Sequence, residues 1–485
     1  MSHDGKITKN TLYLSSAYVV QKLLAFVYFA LLARFLGADN IGKYVFALSF
    51  TTIFSIFIDL GLSSVLIREI AKFRDKAKDY ISNVIGAKIL LAIMTYGLTI
   101  FFVNILNYPL ATRQLVYLSG FIMILDSFTL SFYAVLRGFQ KIKFEGLGTI
   151  IHQLIVISLG FLAIKLGLPI IFFIGVVLCA SAFNFLFSLS LLIFKEKIAI
   201  KPTWQRETIK MLFIIALPFA IAGIFSRVYS YIDQILLSKL AGDTALGIYS
   251  VAYKLTFALQ FIPAAFGASI FPAFANFYAN SREHLAQTFE KAIRYLTILV
   301  MPISLGTIVL AREIILKIYG QEYVLSILPL QILIIALIFI FINYPLGALL
   351  NACDHQKTNT YNVGIAMLIN IILNVILIPK FSFIGASLAV LVSYVCLVGI
   401  NFYYVPQILE YKLSRLLWLF LKTLTAAAIM AIIIYCAKSF INFWWLIIPG
   451  GLIYFVMIYL FGLISKNDLA SIFNIFKRKN ENISY

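Results

Sequence analysis

The sequence predicts an all-α polytopic membrane protein with fourteen transmembrane helices. They form two six-helix lobes related as a parallel repeat (spans 1–6 and 7–12) around a central cavity, followed by two C-terminal helices. Three observations predict it. Hydrophobic residues fill 62% of 485 positions and charged ones only 12%, where a soluble domain runs near half apolar and a quarter charged. The apolar residues lie in long runs between short polar breaks, and a bilayer span needs about 20 of them. The block Leu32–Ala47 also recurs as Leu237–Ala252 at a constant offset of 205. Disorder, collagen and a disulfide scaffold are excluded by the same composition.

In chain order the spans are read at 12–36, 41–67, 80–106, 112–137, 144–166, 170–194, 208–239, 244–278, 289–311, 325–352, 358–379, 383–408, 415–438 and 442–465. Lys6 and Lys9 precede a first run too long for a signal-peptide core and followed by no small-residue cleavage site, so it reads as an uncleaved span. Gly37–Asp39–Asn40, Asn107–Pro109, Gly167–Pro169 and Gly242–Asp243 supply turn chemistry at the breaks. The resulting organisation is an N-terminal lobe at 1–194, a basic interfacial linker with Trp204 at 195–207, a second lobe at 208–408, spans 13 and 14 within 409–465, and a basic tail at 466–485.

Net charge is +19, with 39 Lys+Arg against 20 Asp+Glu. Assigned to alternate sides of the spans, 26 of the cations fall with the N-terminus and 9 opposite, so both termini are expected in the cytoplasm of a cell membrane. A nucleic-acid face would gather its charges on one fold; these are spread loop by loop. Cys179, Cys353, Cys396 and Cys436 and the four histidines are dispersed, with no metal-ligand spacing.

Within the repeat, Arg34 matches Lys239, Gly37 matches Gly242, Gly42 matches Gly247, Tyr44 matches Tyr249 and Ala47 matches Ala252. Glycines there suit tight hairpins on the outer side. Six spans separate the copies, an even number, so both insert in one orientation about an axis along the membrane normal.

Four cations and three acids remain inside spans: Lys22, Lys88, Arg227 and Lys254, with Asp59, Asp126 and Asp233. At about 2.5–3.5 kcal/mol each, lipid-facing charges in that number would cost roughly 17–25 kcal/mol, against a typical stability of ~5–15 kcal/mol. They must face protein or a wet cavity. Asp59 and Lys88 both lie ~12 Å deep and can pair across a hairpin; Asp233 and Lys254 flank the next hairpin and can do likewise. Asp126 could join Lys88 or relay a proton, and the spacing does not choose. Lys22 and Arg227 occupy equivalent positions in the two repeats, ~20 Å below their outer turns. Gly223, Arg227, Ser230, Tyr231, Gln234 and Ser238 form one polar stripe on span 7, with Thr52, Ser55, Asp59 and Ser63 on span 2 and Tyr249, Tyr253 and Gln260 on span 8. These stripes point to a cleft with a cation on each wall, suited to an anion such as phosphate. Pro218, Pro263, Pro272, Pro302, Pro329 and Pro345 interrupt spans 7–10, as kinks or as bending points.

LARFLGADNIGKYVFALSF (32–50), DLGLSSVLIREIAK (59–72), YAVLRGFQKIKFEGLG (133–148), LGIYSVAYKLTFALQFIPAAFGASIFPAFA (246–275) and NIILNVILIPKFSFIGASLAVLVSY (370–394) together resemble the Wzx-type polysaccharide flippases of the multidrug/oligosaccharidyl-lipid/polysaccharide exporter superfamily. The resemblance runs to about residue 465. It implies fourteen helices in two lobes and a polyprenyl-(pyro)phosphate-linked oligosaccharide moved from the inner to the outer leaflet. It also places Lys22, Arg227 and Lys254 on cavity helices as holders of the phosphates. No cofactor is implied, a coupling ion (H+ or Na+) stays open, and the partners implied are the bilayer and the glycosyltransferases or polymerase of the same pathway, with no nucleic acid.

A drug or cation antiporter of the same superfamily is the alternative. It wants unpaired carboxylates on the cavity helices, and only Asp59 and Asp126 speak for it. A membrane enzyme is disfavoured, since no loop is long enough for an aqueous catalytic domain and no D-x-D motif occurs.

Overall fold

The computed structural model describes residues 3–440 and 443–463. The side chains of Lys6 and Lys9, and the tail with Lys466, Lys477, Arg478 and Lys479, lie outside the described part of the chain. Among the described residues the chain is helical and without strands: α1 (His3–Asp59), α2 (Leu62–Lys72), α3 (Ala77–Ile105), α4 (Leu110–Gly138), α5 (Lys143–Lys165), α6 (Ile170–Ser190), α7 (Arg206–Ala241), α8 (Asp243–Ala258), α9 (Phe261–Asn280), α10 (Arg282–Ile318), α11 (Ile327–Ala352), α12 (Gln356–Tyr404), α13 (Leu413–Ala437) and α14 (Phe443–Leu460). Among the described residues, eleven stretches are long and apolar enough to cross a membrane.

Breaks fall where the backbone needs glycine or loses a donor. α1 is interrupted at Gly37 (φ 74°, ψ 171°), and Gly242, its repeat mate, separates α7 from α8 with nearly the same backbone (φ 90°, ψ 168°). That region is essentially closed to side chains. The amide of Ala38 restarts α1 by donating to Glu322 Oε1 at 2.6 Å, a carboxylate cap on an orphan N–H. α12 breaks at Ser382 (φ 50°, ψ −131°), just past Pro379. Pro218, Pro272, Pro302 and Pro345 sit inside helices. Pro263 and Pro329 lie in the first turns of α9 and α11, where a missing N–H costs nothing.

The chain divides into two compact units, Met1–Phe261 with Ile318–Pro329 and Thr360–Ser393, and Ile262–Lys317 with Leu330–Asn359 and Tyr394–Tyr485. In the first unit, α2 buries Leu62, Val65, Leu66 and Ile70 against α3 and α4 and leaves Arg68 and Lys72 outside. The segment between α6 and α7 docks on the start of α3: Thr203 N–H donates to the Ser82 carbonyl (3.2 Å) and Gln205 N–H to Asn83 Oδ1 (2.7 Å). In the second unit, Ser304 on α10 donates to the Ile334 carbonyl of α11 at 3.1 Å, and Lys438 pairs with Glu313 at 3.3 Å.

Candidate functional site

The first unit encloses a cavity of about 470 Å³ walled by α1 after its break, α4, α7 and α8. Two close contacts where α1 crosses α8 hold these walls together. A Cβ on Gly42 would overlap the carbonyl of Asp243, and a Cβ on Gly247 would overlap that of Ala38. Adding 205 to Gly42 and subtracting it from Asp243 turns the first contact into the second. Thr244 donates to Asp39 at 3.2 Å, and these two residues are themselves repeat mates. Deeper down, Ser49 donates to Gln234 Oε1 at 2.5 Å, while Lys254 Nζ sits 5.6 Å from the ring centre of Phe29; here too the offset exchanges one contact for the other. The glycines at 42 and 247 therefore serve close helix crossing rather than the hairpins themselves, which fall to Gly37 and Gly242. Without side chains at the crossing, two backbones can touch.

Of the sequence-predicted residues, Arg227, Lys254, Ser55, Tyr231, Gln234, Tyr253, Asp59 and Asp126 line the cavity. Lys22 stands beside its wall, with Nζ 5.6 Å from the ring centre of Phe257, itself a lining residue. The cations of α1 and α8 thus each rest over an aromatic ring of the other helix, a contact that favours a partly desolvated charge. Arg227 is half-buried, while Lys254 is open to the cavity. Among the described residues neither has an ion-pair partner.

Lys88 and Asp59 do pair. Lys88 is wholly buried, with Nζ 2.6 Å from Asp59 Oδ1, 2.8 Å from the Ser127 carbonyl and 3.2 Å from its hydroxyl. Ser63 also donates to Asp59. Lys88 is thereby satisfied without Asp126, which opens into the cavity from α4. The expected option of an Asp233–Lys254 pair does not form. Tyr249, fully buried, donates to Asp233 instead. Lys254 lies five residues on, ~140° around the helix, and faces the cavity. Ser230 is absent from the lining; its hydroxyl bonds the Ser226 carbonyl and its own carbonyl accepts from Tyr253 at 3.2 Å.

Sequence reasoning missed Ser49 on the wall, although the repeat offset leads from Lys254 straight to it. It also read Arg137 as a topological charge. In the structure Arg137 makes a two-pronged ion pair with Glu145, which accepts from Tyr18 at 2.7 Å as well.

Residues 7–278 match the family described as Polysaccharide biosynthesis protein, and residues 206–376 match the MatE family. The chain is 23% identical over 428 residues to a Haloferax volcanii protein named "Probable low-salt glycan biosynthesis flippase Agl15", covering 87% of this chain and 89% of that one. It is 24% identical over 417 residues to the capsular polysaccharide biosynthesis protein CapF of Staphylococcus aureus, covering 82% and 99%. Among solved structures it superposes on the lipid II flippase MurJ in an inward closed conformation, with TM-score 0.76 at 21% identity over 93% of this chain and 98% of that one. A multidrug resistance MATE transporter in an inward-facing conformation gives 0.66 at 15%, over 83% and 95%. With more than half its length matched, this chain, a multi-pass membrane protein, belongs to the polysaccharide biosynthesis protein family.

Proposed function

We propose that the chain is a flippase carrying a polyprenyl-(pyro)phosphate-linked oligosaccharide from the inner to the outer leaflet of the cytoplasmic membrane by alternating access, for cell-surface glycan assembly. One observation carries this reading: the cavity presents Arg227 and Lys254 without ion-pair partners among the described residues, while the charge of Asp59 is cancelled by Lys88. Uncompensated cations at that depth are costly unless a ligand anion completes them. Phosphate oxygens suit both side chains. The names of the relatives agree with this chemistry.

In this reading the fourteen spans form two parallel six-helix lobes, 1–194 and 208–408, joined by 195–207. Spans 13 and 14 lie within 409–465, and the tail at 466–485 is cytoplasmic. The contacts exchanged by the 205 offset support that repeat at its first helices. Glycosyltransferases and a polymerase acting on the same lipid-linked glycan are the partners; no cofactor is required, and any ion gradient that drives the cycle is one of H+ or Na+. The test is complementation: in cells lacking their own flippase, the chain restores surface glycan and clears lipid-linked glycan from the inner leaflet. No clearance, with the protein present in the membrane, contradicts the reading.

A drug or cation antiporter is the second reading, favoured by the open carboxylate of Asp126 and the match over 206–376. Two cations share the cavity with that carboxylate, so a cationic drug meets net repulsion. Efflux of a lipophilic cation dye dependent on Asp126 would decide for the antiporter.

A further inference from the structure

The cavity holds one charge that phosphate binding does not use. Two acids line it, and they differ. Asp59 is cancelled by Lys88 and also accepts a hydrogen bond from Ser63. Asp126, on α4, is exposed to the cavity and has no ion-pair partner among the described residues. Its neighbour Ser127, also on the cavity wall, is buried and holds Lys88, while the Asp126 side chain stands open to the cavity. Arg227 and Lys254 come from α7 and α8, which gives the cavity cations from those helices and, from α4, a carboxylate that has no ion-pair partner among the described residues.

For a ligand that is only an anion, this carboxylate is a penalty twice over. It repels the phosphate, and it is a charge kept at membrane depth without an ion-pair partner among the described residues. For a ligand with an anion at one end and hydroxyl donors at the other, both halves of the cavity are used. A carboxylate accepts several hydrogen bonds at once, and those to a charged acceptor are the strong ones.

We propose that Asp126 is a specificity-determining residue that reads the sugar next to the lipid phosphate, accepting hydrogen bonds from its hydroxyl or amide donors while Arg227 and Lys254 hold the phosphate. This deepens the flippase reading and rests on it. A cavity of about 470 Å³ is the size that takes one drug-sized group. Only the sugar or two nearest the lipid are read, and the distal glycan is free to vary.

The test uses the full chain in nanodiscs titrated with two probes: geranylgeranyl diphosphate, and the same lipid diphosphate bearing one N-acetylhexosamine. Wild type prefers the glycosylated probe. Asp126→Asn weakens the glycosylated probe by about tenfold, the loss of a charged hydrogen bond, and tightens the bare diphosphate because a repulsion is gone. Asp126→Glu keeps the wild-type order. Thermal unfolding checks each variant, with Asp126→Ser as the replacement if the Asn variant does not fold. If the Asn or Ser variant prefers the glycosylated probe by the wild-type ratio, Asp126 does not read the sugar and the inference is overturned. If wild type binds neither diphosphate, the flippase reading itself fails, a separate outcome.

Discussion

Lys88 has no exposed surface, yet it sits among Asp59, Ser63 and Ser127 with every donor engaged. Such a cluster is costly to break from one side, because the remaining charge stays buried and bare. Lys88→Met is therefore expected to destabilise the protein by about 3–5 kcal/mol, and the double variant Asp59→Leu/Lys88→Met to recover most of that loss, read as thermal midpoints in detergent. An unrecovered double variant would assign Asp59 a role beyond pairing. The buried Asp233 is a smaller case of the same logic. Tyr249→Phe removes a partner it has and is expected to cost about 1–3 kcal/mol, measured the same way.

Helix elements were largely legible from hydrophobic runs, and their breaks from glycine and proline. Gly37 and Gly242 mark their turns in sequence because no other residue takes that backbone. The break in α12 at Ser382 has no glycine; only Pro379 announces it. The hydrophobic run predicts span 8 as a single helix over 244–278, whereas α8 ends at Ala258 and α9 begins at Phe261, two residues before Pro263. The roles of Gly42 and Gly247 were not legible, since a glycine for turning and a glycine for touching look alike until the partner carbonyl is seen. Their contacts are exchanged by the repeat and belong to one crossing. Gly42→Ala and Gly247→Ala are each expected to lower the thermal midpoint, and the double variant to lose less than the sum, because one separation of α1 from α8 relieves both clashes. Additive losses would mean two independent sites.

Across the whole molecule, most of the +19 charge has a topological reading: basic loops on one side of the spans and few cations on the other. That reading predicts that a single cysteine replacing Lys76, in a chain stripped of its own four cysteines, is labelled by an impermeant reagent only from the cytoplasmic side, and one replacing Lys165 only from outside. Labelling with the sides exchanged would invert the topology. The site was legible to the extent that helix-stripe arithmetic reaches: Arg227, Tyr231 and Gln234 share one face and one cavity. Lys254 against Asp233 was not, because pairing depends on rotation about α8, which spacing along the chain does not supply.

In the proposed function, Arg227 and Lys254, which have no ion-pair partner among the described residues, hold the phosphate of a lipid-linked glycan. Export in a flippase-deficient strain by Arg227→Ala/Lys254→Ala, with membrane abundance verified, tests it most directly. The expected outcome is loss of surface glycan and accumulation of its lipid-linked precursor on the inner leaflet. Surface glycan at the wild-type level from that double variant would contradict it.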